Sequence, residues 1–271
     1  MPLADGRMAP GPRRLLLSDA VVDLTPLGLR VVHPEAAHPL LLRLGAVEAQ
    51  PRALLEDPGV RAAVEAAADE EDPTTVVEAV LSLVGAADLH PGEIPWLAAL
   101  PLLDDEGDWR PAGELLLPAG PLAQVVDTDA GFGVVRPGFA RDDVLAAVGA
   151  LRGFALARVE DGVDDVDGVH DWLASLAPGE EPDVVVRDLD LVRDDAWPAA
   201  LELLDAAGLL ASSYVRWWLA GAPVLQGRRP RGLRVPGTDP LLVGLYDEAP
   251  GDPARAALLG ARPARARRAA G

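Results

Sequence analysis

The chain has 271 residues, 49% of them hydrophobic, with 24 basic against 43 acidic side chains and a net charge of −19. That length and hydrophobicity allow roughly 70% of the unfolded surface to be buried, which excludes bulk disorder, and the charge opposes nucleic acid and anionic membranes as partners. Cysteine, lysine and asparagine are all absent, which removes disulfides, thiolate nucleophiles, cysteine-held metals, Schiff-base and P-loop lysines and Mg²⁺-binding asparagines.

In chain order the pattern is α+β, short strands alternating with helices. Residues 15–17, 21–24 and 29–32 read as strands broken by Asp, Pro and Gly. Pro34 opens a helical turn, and residues 39–45 form a short helix ending on Gly45. Helices follow at 60–68 and 73–87, the second with one apolar stripe of Val76, Val77, Val80, Leu81 and Val84, and with Asp72 and Pro73 as its opening pair. Residues 100–103 and 114–117 flank the polar tip at 104–108, which reads as a hairpin or wide turn. A strand at 132–135, a helix at 141–151 and a strand at 154–159 come next. Then come a helix at 169–176, a strand at 184–187, a helix at 197–207 and strands at 214–219 and 241–245.

Charge is unevenly placed. Residues 160–195 hold 13 acids against Arg187 and Arg193 and read as a solvated stretch, whereas residues 228–271 carry a net +5. The expected organisation is a first α+β unit with an N-terminal extension (1–159), an acidic connector (160–183), a second α+β unit (184–260) and a basic disordered tail (261–271). The two units are expected to be related. Trp-Leu-Ala-Ala-Leu-Pro-Leu-Leu at 96–103 matches Trp-Leu-Ala-Gly-Ala-Pro-Val-Leu at 218–225 with an offset of 122, and the Arg-Pro at 110 matches that at 229 with an offset of 119. The three-residue difference falls in the polar tip, and residues 145–149 also resemble 256–260. Trp96 and Trp218 are thereby expected in equivalent buried positions.

Most chemical motifs fail on spacing. Residues 129–133 fit the D-x-G-x-G pattern of GHKL nucleotide sites, but that site also requires an asparagine and a glycine-rich lid. His33 and His38 are five residues apart, roughly 140° on a helix, and prolines follow both, so they read as turn residues rather than zinc ligands. The acidic run at 161–168 misaligns with a calcium loop. No catalytic, cofactor-binding or metal residue is therefore assigned. Trp217, Trp218, Arg228 and Arg229 form a speculative protein-binding patch, since Trp and Arg are frequent interface anchors. Arg13-Arg14 imitates a signal-peptide start, but Asp19 and Asp23 interrupt the apolar run. No stretch reaches the ~20 apolar residues of a membrane span, so a cytoplasmic location is expected.

The segments at 95–101, 110–122 (Arg-Pro-Ala-Gly-Glu-Leu-Leu-Leu-Pro-Ala-Gly-Pro-Leu), 132–135, 147–150 and 153–156 resemble sacsin-like proteins of high-GC bacteria. These are the large proteins labelled as ninety-kilodalton heat-shock-type chaperones. Residues 31–46 and 217–242 share the pattern, so the resemblance spans about 14–260. In that family the ATP site lies in an N-terminal GHKL domain, and this chain resembles only the region downstream. The resemblance implies a non-catalytic protein-interaction segment without a cofactor of its own, ATP being confined to a separate upstream domain. Its partners would be proteins: the chaperone ATPase domain or a client. A free-standing acidic adaptor, and a divergent hydrolase with an unrecognised carboxylate site, are the alternatives. The stretch after Gly260 departs from the family pattern as a truncated reading frame would.

Overall fold

The structure is a computed structural model that describes residues 1–17, 23–128, 132–179, 182, 184–237 and 240–263. It is α+β and divides into two compact units, Met1–Ala119 with Gly131–Arg152, and Gly120–Ala130 with Gly153–Gly271. Among the described residues no helix is long and apolar enough to cross a membrane.

Unit 1 runs β1 (Leu16–Leu17), α1 (Leu40–Arg43), β2 (Val47–Glu48), α2 (Pro51–Leu55), α3 (Pro58–Ala67), α4 (Thr74–Ala87), β3 (Pro101–Leu103), β4 (Trp109–Pro111), β5 (Leu115–Leu116), β6 (Gly133–Val134) and α5 (Asp142–Ala147). Its core centres on α4, whose Val77, Val80 and Val84 are buried, and against which α2, α3 and α5 pack. Unit 2 runs β7 (Leu156–Ala157), α6 (Val169–Ser175), β8 (Val185–Val186), α7 (Trp197–Ala206), α8 (Ser213–Gly221), β9 (Leu233–Arg234), β10 (Asp247–Glu248) and α9 (Pro253–Leu258). Here α8 is central and packs against α6 and β8.

One backbone pattern occurs three times. A short central strand is flanked by two parallel partners, with a helix between the first partner and the second. In residues 13–49 the strand is β1, bridged to Val31 on one side and paired with β2 on the other. In residues 115–151 it is β5, paired with β6 and bridged to Leu151. In residues 233–262 it is β9, paired with β10 and bridged to Arg262. On the first side the amides of Val32, Val135 and Ala249 donate to Leu16, Leu116 and Arg234. On the second, those of Val47, Leu151 and Arg262 donate to Leu15, Leu115 and Leu233.

The reversal that makes this possible is also shared. Each helix (α1, α5, α9) ends on a Gly-Ala pair. The glycine amide donates three residues back, to Leu42, Ala146 or Ala257, and the alanine amide five residues back, to Leu41, Leu145 or Ala256. These are the two bonds of a Schellman C-cap, which satisfies carbonyls that the helix end would leave orphaned. Gly149 and Gly260 adopt φ +112° and +92°, and both are crowded. A Cβ at Gly149 would lie 3.0 Å from the Ala98 Cβ, and one at Gly260 would lie 2.7 Å from the Ala220 Cβ. Ala98 and Ala220 each stand two residues after the tryptophan of the matched sequence segments.

The hairpins correspond as well. Leu103 pairs with Trp109 across a five-residue tip, and Leu225 bridges to Arg228 across Gln226 and Gly227, both at positive φ (52° and 76°) as in a two-residue type I′ turn. The tryptophans themselves are less alike. Trp96 sits in the 3-10 turn Pro95–Ala99 and Trp218 on α8, and both are half-buried rather than buried. The following leucines, Leu97 and Leu219, fill the core.

Several expectations are corrected. The 160–183 stretch is no solvated connector, because Val163, Val166, Val169 and Trp172 point inward and are buried in unit 2. Nor is the boundary at 159. Residues 120–128 belong to unit 2, where Val126 bridges to Val192 and the Arg193 guanidinium donates to the carbonyls of Gln124 and Val126. Residues 261 and 262, expected to open a disordered tail, are part of the fold: Ala261 is buried and Arg262 is the third strand of its ladder, with its guanidinium over the Tyr246 ring; the expected tail from residue 264 on lies outside the described residues. Residues 214–219 are helical in α8: burial of Tyr214, Val215 and Leu219 follows a helical period that outweighs the strand propensity of aromatic and β-branched residues. Residues 241–245 contain a 3-10 turn with Leu241, Val243 and Leu245 exposed, and the strand follows at β10. The 104–108 hairpin closes on β4, while residues 115–116 pair with β6 instead. The expected strand at 21–24 and the 129–133 motif lie mostly outside the described residues.

Gly149→Ala is expected to cost about 2–4 kcal/mol, from positive-φ strain plus the clash with Ala98. Gly138→Ala, at φ +79° with nothing within 4 Å, should cost about half as much or less; urea denaturation of both variants checks the difference. A chain ending at Gly260 should be less stable than one ending at Pro263 by about 2–3 kcal/mol. It loses the backbone bonds of Ala261 and Arg262 and the burial of Ala261. Thermal melting of the two truncations reads it.

Candidate functional site

The most developed concave surface in unit 2 is built on α8. Ser212 precedes the helix in extended backbone, and its hydroxyl donates to the Val184 carbonyl at 3.2 Å. Buried Tyr214, Val215 and Leu219 form the inner face, so Trp217 and Trp218 fall on its half-buried flank. The turn ahead of α6 fixes both. The Tyr214 hydroxyl donates to the Asp167 carbonyl at 2.7 Å, and Trp218 Nε1 donates to the Asp167 carboxylate at 2.9 Å. Gly168 (φ +68°) lets the chain pass beneath Trp217, since a Cβ there would meet the indole at 3.0 Å. The rings continue inward. Trp172 meets Tyr214 edge-on at 5.3 Å, Tyr214 stacks with Trp217 at 6.4 Å, and Trp218 lies 5.6 Å from buried Trp197 of α7.

Over this aromatic floor opens a cleft of about 530 Å³. Its rim carries Asp167 and Asp171 from the α6 region, Asp190 and Asp194 from the segment before α7, and Arg229 and Arg231 from the turn after α8. All six are exposed. Neither arginine makes an ion pair among the described residues, and the same holds for Asp171, Asp190 and Asp194. Burial, followed by the neighbouring Asp190 charge, pushes the Asp188 carboxyl above its ordinary range. Burial, with the charges of Asp167, Asp190 and Asp188, pushes the Tyr214 phenol well above its own.

Of the four residues picked from sequence, Trp217, Trp218 and Arg229 line this cleft. Arg228 does not; it pairs with Asp247 beside its own hairpin. Sequence reasoning missed Trp197, Arg231 and the four aspartates. The acidic run was visible, but read as solvent-facing it gave no sign that every third residue from Val163 to Trp172 turns inward and carries the rest to a rim. The histidines His33 and His38 each accept a backbone N–H two residues on, as turn residues do. In unit 1 the carboxylates of Asp104, Glu106 and Asp108 lie within 4.8 Å of one another. Asp104 is engaged otherwise: its Oδ1 accepts the amides of Glu106, Gly107 and Asp108 at 3.1, 2.8 and 2.8 Å and closes the hairpin tip.

In comparisons with known proteins, the chain matches no family model, no curated protein and no solved structure.

The raised Asp188 carboxyl has a consequence for stability. A group whose folded pKa exceeds its unfolded value disfavours the fold increasingly as pH rises from the unfolded pKa through the folded one. Asp188→Asn should therefore raise the melting temperature at neutral pH and lose that advantage below about pH 4, near the ordinary aspartate value. Asparagine also tolerates the left-handed φ of 64° at this position. Melting curves across pH 3–8 check it.

Proposed function

We propose that this chain works by binding protein, as a non-catalytic segment of a sacsin-like, heat-shock-type chaperone whose ATP chemistry lies in a separate domain. The observation that carries the binding reading is the cleft over Trp217, Trp218 and Trp197. Its aromatic floor is held in place by hydrogen bonds and ring contacts inside unit 2, and of its exposed charges Asp171, Asp190, Asp194, Arg229 and Arg231 make no ion pair among the described residues. A rigid aromatic base inside a polar rim is the anatomy of an interface core, where tryptophan and arginine supply most of the binding energy. The volume is that of a site for a few side chains. The sequence resemblance adds the chaperone context, in which the partner is the ATPase domain or a client.

The test is suppression of aggregation. The full chain, added to a thermally denatured model enzyme, should slow the growth of light scattering in proportion to its concentration. Trp217→Leu should remove about half of the effect or more, read at a temperature below the variant's own melting temperature. Mg-ATP should give no heat in calorimetric titration and leave the suppression unaltered. Wild-type chain that leaves aggregation untouched, or that binds ATP at micromolar concentration, would sink this reading.

A further inference from the structure

We infer that the cleft of unit 2 is a receptor for an arginine side chain carried on an extended polypeptide. The inference rests on the protein-binding reading and names the chemistry of its ligand. Four carboxylates and two guanidiniums share the rim, so the cleft is net negative before the charge of the whole chain is counted. Of the carboxylates, among the described residues only Asp167 has a donor, the Trp218 indole. Asp171, Asp190 and Asp194 face the opening without a cation. Three such groups above an indole floor favour a cation on charge, and a planar one on shape. A guanidinium can lie against tryptophan by stacking and cation–π attraction while its N–H fork reaches a carboxylate in bidentate fashion. An ammonium gains the charge but not the fork. Trp217 is pre-set for the contact, because Tyr214 stacks on one of its faces and Gly168 packs against its six-membered ring, so little side-chain freedom is lost on binding. Arg229 and Arg231 repel a second cation nearby and are free to donate to a peptide carbonyl or to pair with an acidic neighbour. The preferred sequence is thus an isolated arginine rather than a polybasic run.

Three labelled peptides, identical but for a central arginine, lysine or glutamate, are titrated with the full chain and followed by fluorescence anisotropy. The arginine peptide should bind about tenfold more tightly than the glutamate one and about threefold more tightly than the lysine one. Asp171→Asn/Asp190→Asn/Asp194→Asn should weaken it about tenfold. Asp69→Asn/Glu70→Gln/Glu71→Gln removes the same charge from unit 1, where none of these residues lines the cleft, and should change binding less than twofold. Trp217→Leu should weaken the arginine peptide about fivefold, whereas Arg229→Ala/Arg231→Ala should tighten it. Equal losses in the two neutralised triples would mean attraction by overall charge alone and would overturn the inference. So would tighter binding of the glutamate peptide, or the absence of any binding. Aggregation suppression without arginine preference defeats this inference and leaves the protein-binding reading intact; arginine binding without suppression does the reverse.

Discussion

A strand of two residues cannot hold itself, and among the described residues three of them stand at the centre of parallel ladders. β1, β5 and β9 each persist because hydrogen-bond partners arrive on both sides, and the second partner arrives only because a helix stops abruptly and the chain doubles back. Every copy solves this with the same glycine–alanine C-cap. In the second and third copies the cap is closed from outside by an alanine of the preceding tryptophan segment, at a spacing no Cβ would permit. The tryptophan segment, the helix end and the third strand are thereby locked into one unit. A methyl group at Gly149 or Gly260 would be felt in all three.

In unit 2 that lock leads directly to the cleft. Ala220, which presses on Gly260, belongs to the same helix that presents Trp217 and Trp218. Asp167 sits across from them, tied by one backbone and one side-chain hydrogen bond. The aromatic floor is thus part of the packed structure and its order does not wait on a ligand. The rim is the opposite, made of exposed side chains whose charges nothing inside the unit neutralises. Rigid floor and unsatisfied rim together are what the protein-binding proposal rests on.

The acidity of the chain has a structural component too. With no asparagine available, aspartate does the local hydrogen bonding that asparagine shares elsewhere. Asp23, Asp57, Asp72, Asp104 and Asp252 each accept backbone amides at turns or helix starts, and Asp88 and Asp188 occupy left-handed backbone. Part of the negative charge therefore serves the backbone. The carboxylates with no such duty, Asp171, Asp190 and Asp194 among them, are the informative ones.

Sequence by itself determined the α+β character and the positions of α1, α3, α4, α6 and α7. These are local matters: apolar period, helix-ending glycines and turn residues act within a few positions of where they stand. It also picked out Trp217, Trp218 and Arg229. Tertiary structure alone decided that residues 214–219 are a helix and that the acidic stretch supplies core through Val163, Val166 and Trp172. Pairing decided that Arg262 is a strand residue, and that residues 13–49 repeat the same ladder without the tryptophan that marks the other two. In each case the deciding energy comes from groups distant in sequence. A strand this short is made by its neighbours, and a carboxylate joins a cleft only when another part of the chain is folded beside it.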